Sequence, residues 1–247
     1  MILLISPSKT MDFNSETMKN SDSIFLNDKT IKILKKLKTF SKNEMSKLMN
    51  LMGNLLDKTY LNIQNFETNP CKMAITAYTG TAFKEIKYEN YSEVERNFMN
   101  DHLIILSAFY GLVSPFDLIS PYRLDASVRI FSEVSPHNYW KGFVTDTLNQ
   151  TFQNTNEEFL INLASSEFTK MIDKKKFKHT IIDIEFREFR KDKYISVSTY
   201  AKKARGMMVD YIIRKKCEFP EDIKSFDRDG YLFNKKLSSE TKYVFTR

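Results

Sequence analysis

The chain has 247 residues, 42% of them hydrophobic and 13% aromatic, enough apolar side chain for a sizeable core and too much for a disordered polar chain. Its 38 basic and 31 acidic residues leave a net charge of +7, which favours an anionic partner, while only six glycines disfavour a glycine-rich nucleotide fold. Cys71 and Cys217 lie far apart with no C-x-x-C, no apolar run approaches the roughly 18 residues of a membrane helix, and Met1 leads into a short strand instead of a signal sequence, so the expectation is a cytoplasmic protein with reduced thiols and no membrane partner.

Residues 1–5 read as an interior strand that empties into Ser6-Pro7-Ser8-Lys9-Thr10. Residues 14–27 are rich in Ser, Asn and Asp and read as a surface excursion. Ile31, Leu34 and Leu37 then recur at helical spacing among lysines. Ser41 and Glu44 have the spacing of a capping box that opens a second helix through about Met52. Gly53 is placed as its C-cap and residues 55–66 as a third helix, which makes 28–66 a helical subdomain. Residues 73–78 are expected as a strand, 93–99 as a helix and 103–106 as an interior strand ending at Ser107.

The stretch SAFYGLVSPFDLISPYRLDASVR reads as one long loop. An amphipathic helix at 140–152 precedes a strand at 159–163, with Ser165 as the next N-cap. The partly alternating run through Ile181, Ile184, Phe186 and Phe189 fits a strand paired with 194–198 across a Lys191-Asp192 turn. Residues 199–216 form a helix, a short helix is expected near Pro220, and two strands close the chain at 231–233 and 242–245. The expected architecture is α+β: a single mixed α/β domain, 1–247, with a central sheet and the helical insertion.

Three histidines, His102, His137 and His179, show no metal-ligand spacing, so neither a metal nor another cofactor is implied. Ser8-Lys9-Thr10 lacks the glycines that let a phosphate-binding loop wrap its ligand. Several strands nevertheless end in small polar clusters: Ser6 to Thr10, Ser107 with Tyr110, and Asn162 with Ser165. Strand ends are where sheets with helices on their faces hold ligands. In SPYRLD, Arg123 sits in a rigid loop beside Tyr122, with Asp125 placed either to orient the guanidinium or simply to form an ion pair with Arg123 or Arg129. In STYAKKARGMMVDYIIRKK, Ala201, Ala204, Met208 and Tyr211 mark a buried face, and Lys202, Arg205 and Gly206 share a second face. A helical glycine costs roughly 1 kcal/mol relative to Ala. Gly206 therefore signals a close approach, with a phosphate favoured over another protein segment.

LISPSKTMDF, LSAFYGLVSPFDLISPYRLD, INLASSEF and YAKKARGMM, in this order, resemble the YaaA peroxide-stress protein family. That resemblance implies a cytoplasmic bacterial protein tied to hydrogen peroxide resistance and to lowered free iron, with a fold of the family's own. It also implies a positively charged cleft, a helix-hairpin-helix element and binding to duplex or distorted DNA. The family's hairpin carries two glycines, where the helical region here offers Gly53 alone, in NLMGNLL, near Lys47 and Lys58. The cations carried over are Lys9, Arg123, Lys202, Lys203 and Arg205, with Ser6, Thr10, Tyr78, Ser107, Tyr110, Tyr122, Asn162, Ser165 and Gly206 as cleft-lining candidates and the tyrosines placed to stack on bases. The alternative is an enzyme acting on a nucleotide or another small anionic ligand, with Ser6, Lys9, Ser107, Tyr110, Asp117, Arg123, Lys202 and Lys203 as its reactive cluster. That reading expects Lys9 or Lys202 to be buried among polar groups.

Overall fold

A computed structural model describes residues 1–14, 17–18, 26–131 and 134–247; most of the predicted excursion at 14–27 lies outside the described residues. Strand β1 (Ile2–Ile5) is buried along its whole length. Three helices follow, α1 (Asp28–Lys38), α2 (Lys42–Met49) and α3 (Gly53–Gln64). The capping box forms as expected: the Glu44 amide donates to Ser41 Oγ and the Ser41 amide to the Glu44 carboxylate. Gly53 is not the cap of α2. Asn50, at φ 51°, takes the left-handed position three residues earlier, and Gly53, at φ 56°, opens α3. The connection is therefore the short Asn50-Leu51-Met52 turn. Asn can occupy that backbone region because its short amide tolerates it.

Residues 73–78 are not a strand. Only β2 (Lys72–Met73) is extended, and α4 (Ala74–Ala77) follows at once. The amides of Ala74 and Ile75 donate to the carbonyls of Asp117 and Pro115, so tertiary bonding overrides the strand preference of this short run. Helix α5 (Glu93–His102) leads into β3 (Leu103–Ser107), as expected. The long loop after it contains β4 (Gly111–Val113), which returns antiparallel along β3, and β5 (Leu118–Ile119), which pairs with β2.

Helix α6 (Pro136–Thr155), strand β6 (Phe159–Asn162) and the single-turn α7 (Ser166–Thr169) come next. Strand β7 (Thr180–Arg190) turns into β8 (Lys193–Ile195) through Lys191 and Asp192, both at positive φ, so the predicted hairpin is present. Helix α8 (Ser198–Lys215) and strands β9 (Leu232–Phe233) and β10 (Lys242–Thr246) complete the chain.

The main sheet has the order β4-β3-β1-β6-β7-β10-β9, with β8 attached to β7. Strands β3, β1, β6, β7 and β10 run parallel, and β4 and β9 are antiparallel at the margins, so the fold is mixed α/β around a mostly parallel sheet. Side chains from α1, α2 and α3, among them Ile33, Leu37, Met45 and Ile63, join the same buried cluster as the sheet. Among the described residues no helix is long and apolar enough to cross a membrane.

Candidate functional site

Parallel pairing brings the C-terminal ends of β1, β3 and β6 to one edge of the sheet. The chain goes from β1 to β3 on one side and later returns to β6 on the other side of β1. Such a reversal opens a crevice beyond the strand ends, the usual ligand position in sheets of this kind. A cleft of about 300 Å³ lies there. Its walls are the Ser6 to Thr10 loop, the segment from Gly80 to Phe83, the loop from Tyr122 to Ala126, the turn after β6, and Lys202 and Arg205 of α8.

Ser6 ties two walls together: its Oγ accepts from the Ser165 amide at 2.8 Å and lies 3.3 Å from Ser165 Oγ. Thr10 is held by Ser8, whose Oγ accepts from the Thr10 amide at 3.1 Å, while the Thr10 carbonyl accepts from the Thr79 amide. Lys9 donates to Asp125 Oδ2 at 2.6 Å. Asp125 therefore joins the SPYRLD loop to the SPSKT loop and does not hold Arg123. Arg123 and Lys202 line the cleft with no hydrogen bond or ion pair to any described residue. Arg205 is mostly shielded from solvent; Glu185 favours its charge, but its buried Nε makes no hydrogen bond to a described residue.

Gly206 has an explanation other than a phosphate. A Cβ there would lie 2.0 Å from the Ala82 carbonyl oxygen, so a protein segment makes the close approach. The same segment reaches the other wall through Gly80, whose added Cβ would meet Ser8 Oγ at 2.3 Å. Residues 80–83 are thus clamped between the SPSKT loop and α8, and both glycines permit it. Lys203 is also displaced from its expected place: it donates to Asp229 Oδ2 at 3.3 Å and is not in the cleft.

The tyrosines lie behind the wall, not on it. Tyr78 and Tyr122 share a hydrogen bond of 2.8 Å, and Tyr122 shares another of 2.8 Å with Ser107 Oγ. The amides of Phe109 and Tyr110 also donate to Ser107 Oγ, and the Tyr110 hydroxyl bonds both backbone groups of Ser120. All four residues are buried, and only Tyr122 borders the cleft, so Tyr78, Ser107 and Tyr110 are not cleft-lining and offer no ring face to a base. Burial pushes the Tyr122 phenol up to about 12, offset by its bonds to Ser107 and Tyr78. Burial likewise raises Tyr78 and Tyr110 well above the usual phenol value, so these phenols stay neutral and brace the loop that carries Arg123.

Asn162 is buried at the back of a neighbouring cavity, where its Nδ2 donates to Asp183 Oδ1 at 2.6 Å and its Oδ1 accepts from the Ala164 amide. Asp117 accepts from the Ser114 amide at 2.7 Å and stands apart from the cleft. Lys9 and Lys202 are exposed, contrary to the burial expected of a catalytic lysine. Both cysteines are buried, and burial raises the Cys217 thiol to about 11. The sequence reading missed Gly80, Ala82 and Phe83 as wall residues. Gly80 was the available signal, because a glycine beside a structured segment marks either a turn or a close approach.

The fold and the cleft define a mixed α/β protein with a small ligand-sized cleft at the switch point of a mostly parallel sheet. The chain belongs to the YaaA peroxide stress protein family: a family model described as peroxide stress protein YaaA matches residues 1–237. Similar proteins include UPF0246 protein FN1762 of Fusobacterium nucleatum, 39% identical over 100% of this chain and 99% of that protein. A UPF0246 protein of Rickettsia felis is 34% identical over the whole of both chains, and one of Acaryochloris marina is 32% identical over the whole of both.

Proposed function

We propose that this cleft binds the phosphodiester backbone of DNA, duplex or distorted, in the response to hydrogen peroxide. The observation that carries the reading is a pair of cations, Arg123 and Lys202, that line one cleft with no partner among the described residues. With Lys9 neutralised by Asp125, the lining leaves Arg123, Lys202 and Arg205 against Glu167, an excess of positive charge. A protein lacking bound anion gains nothing from holding such groups together, since like charges repel and a shielded guanidinium is costly. Phosphate contacts of this kind supply affinity and position with little sequence readout.

A second hollow lined by Lys47, Arg123 and Arg129 extends the cleft toward the α2–α3 turn. Helix α3 begins there without a side-chain cap, so its first amides are free to meet a phosphate. This is where we place the hairpin contact of the reading, with Gly53 its single glycine. The cleft is too small for a duplex, so one strand's backbone enters at a time. Buried thiols speak against peroxide chemistry at cysteine. Lowered free iron fits this reading indirectly, because less iron means less hydroxyl-radical damage to the DNA that is bound.

The test is fluorescence anisotropy with a short labelled duplex. Arg123→Ala with Lys202→Ala is expected to weaken binding at least tenfold, roughly 1.4 kcal/mol. Lys203→Ala, outside the cleft, is expected to change it little. Equal loss from all three replacements would place the binding surface elsewhere.

A further inference from the structure

Arg205 lines a second cavity as well as the cleft. This one, about 800 Å³ and open to solvent, lies between α6, α7 and β7. Its acids are already engaged. Asp183 accepts from Asn162 and from Lys174 Nζ at 3.3 Å, Glu185 pairs with Arg187, and Asp173 accepts from the Lys175 amide at 3.1 Å. Of its cations, Lys174 is engaged with Asp183, and the charged groups of the others form no ion pair or hydrogen bond with a described residue. The ammonium groups of Lys141, Lys170 and Lys175 have no partner among the described residues. The Arg205 guanidinium feels the charge of Glu185, but its Nε is sealed from water and makes no hydrogen bond to a described residue.

A largely shielded guanidinium whose Nε makes no hydrogen bond to a described residue, beside lysines with no described partner, needs an explanation, and a bound anion supplies one. We propose that this cavity is a phosphate-group site in which Arg205 is the buried anchor, Lys141 and Lys170 supply the outer charge, and His137 lies at the rim. The phosphate group comes either from a free phosphate-bearing molecule or from a phosphodiester that runs past Arg205 out of the cleft. The proposal does not rest on the DNA reading, because the unpaired groups stand whatever enters the cleft.

His137 reports on the site. Burial holds its pKa below the usual value, and Lys170, Lys141 and Arg129 lower it further against Glu167, which raises it. A phosphate placed among these cations must shift it upward. The experiment is a proton NMR titration of the histidine ring signals, which are few because the chain has three histidines. His102 and His179 serve as controls.

Inorganic phosphate is added at constant ionic strength, with chloride as the reference. The expected result is a rise in the His137 pKa of about half a unit or more, with His102 and His179 unmoved. Lys170→Gln, at an exposed position, and Lys141→Glu are each expected to diminish that phosphate-dependent rise, and unchanged control signals verify that each variant is folded.

A short DNA strand is titrated in parallel. Response to inorganic phosphate identifies a free phosphate group as the source, and response to DNA alone identifies a phosphodiester. If neither probe moves His137, or if the rise survives both lysine replacements, the proposal is overturned. A positive phosphate result alongside absent DNA binding would sustain this site while rejecting the function proposed for the cleft.

Discussion

Asp210 shows how a single buried carboxylate organises the surroundings of α8. It accepts from the Tyr91 hydroxyl at 2.7 Å, the Lys87 amide at 3.2 Å, Arg214 Nε at 3.2 Å and Arg228 Nη1 at 2.5 Å. Burial opposes its ionisation, but the bonds from Arg228, Tyr91 and Lys87 prevail and hold its pKa below the usual carboxylate range. A depressed folded pKa stabilises the protein above the unfolded value, about 3.9 for Asp, and that contribution disappears as pH falls through the folded value. Asp210→Asn leaves two guanidinium groups short of their counter-charge. It is expected to cost about 3–5 kcal/mol in urea unfolding at neutral pH. The acid limb of its stability curve is expected to flatten, whereas an unchanged limb would mean that Asp210 is not the titrating group. Residue identity alone did not convey such roles. Tyr78, Tyr110 and Tyr122 have the same sequence appearance whether they stack on a base or bond Ser107 and Ser120 in the interior. Only tertiary placement separates the two.

At the scale of elements, local signals were legible and non-local ones were not. The α2 capping box, the buried face of α8 and the Lys191-Asp192 hairpin depend on residues close in sequence, and all are present. The short run at 73–78 took its form from carbonyls at Pro115 and Asp117, which no local pattern announces. Gly206 illustrates the boundary. Its position in a helix signalled a close approach, while the identity of the approaching group depended on a segment more than a hundred residues earlier. Lys202 and Lys203 are adjacent in sequence but serve different faces, one in the cleft and one on Asp229. Gly206→Ala tests the contact between α8 and the 80–83 segment. Helix propensity favours alanine by roughly 1 kcal/mol, but the new methyl would overlap the Ala82 carbonyl, and overpacking costs about 1–3 kcal/mol. The expected outcome is a net loss of stability, read as a lower urea midpoint. A variant as stable as the parent would mean that the segment yields freely.

For the whole molecule, the sheet is the cause of the site. Parallel strands collect the loops after β1 and β6 at one edge, and the reversal between them leaves the crevice that Arg123 reaches from a third part of the chain. The sequence made the three loops visible as separate polar clusters. Their convergence became visible only with the strand order. At that edge stand Arg123 and Lys202, cations with no partner among the described residues. A surface that neutralises phosphates releases counterions, so its affinity must fall with salt in proportion to the contacts made. The most direct test of the central claim is the salt dependence of DNA binding by the parent and by the Arg123→Ala, Lys202→Ala variant. The cleft account predicts a steep linear fall in log affinity against log salt for the parent, and a slope smaller by about 2 for the variant. Identical slopes would contradict it.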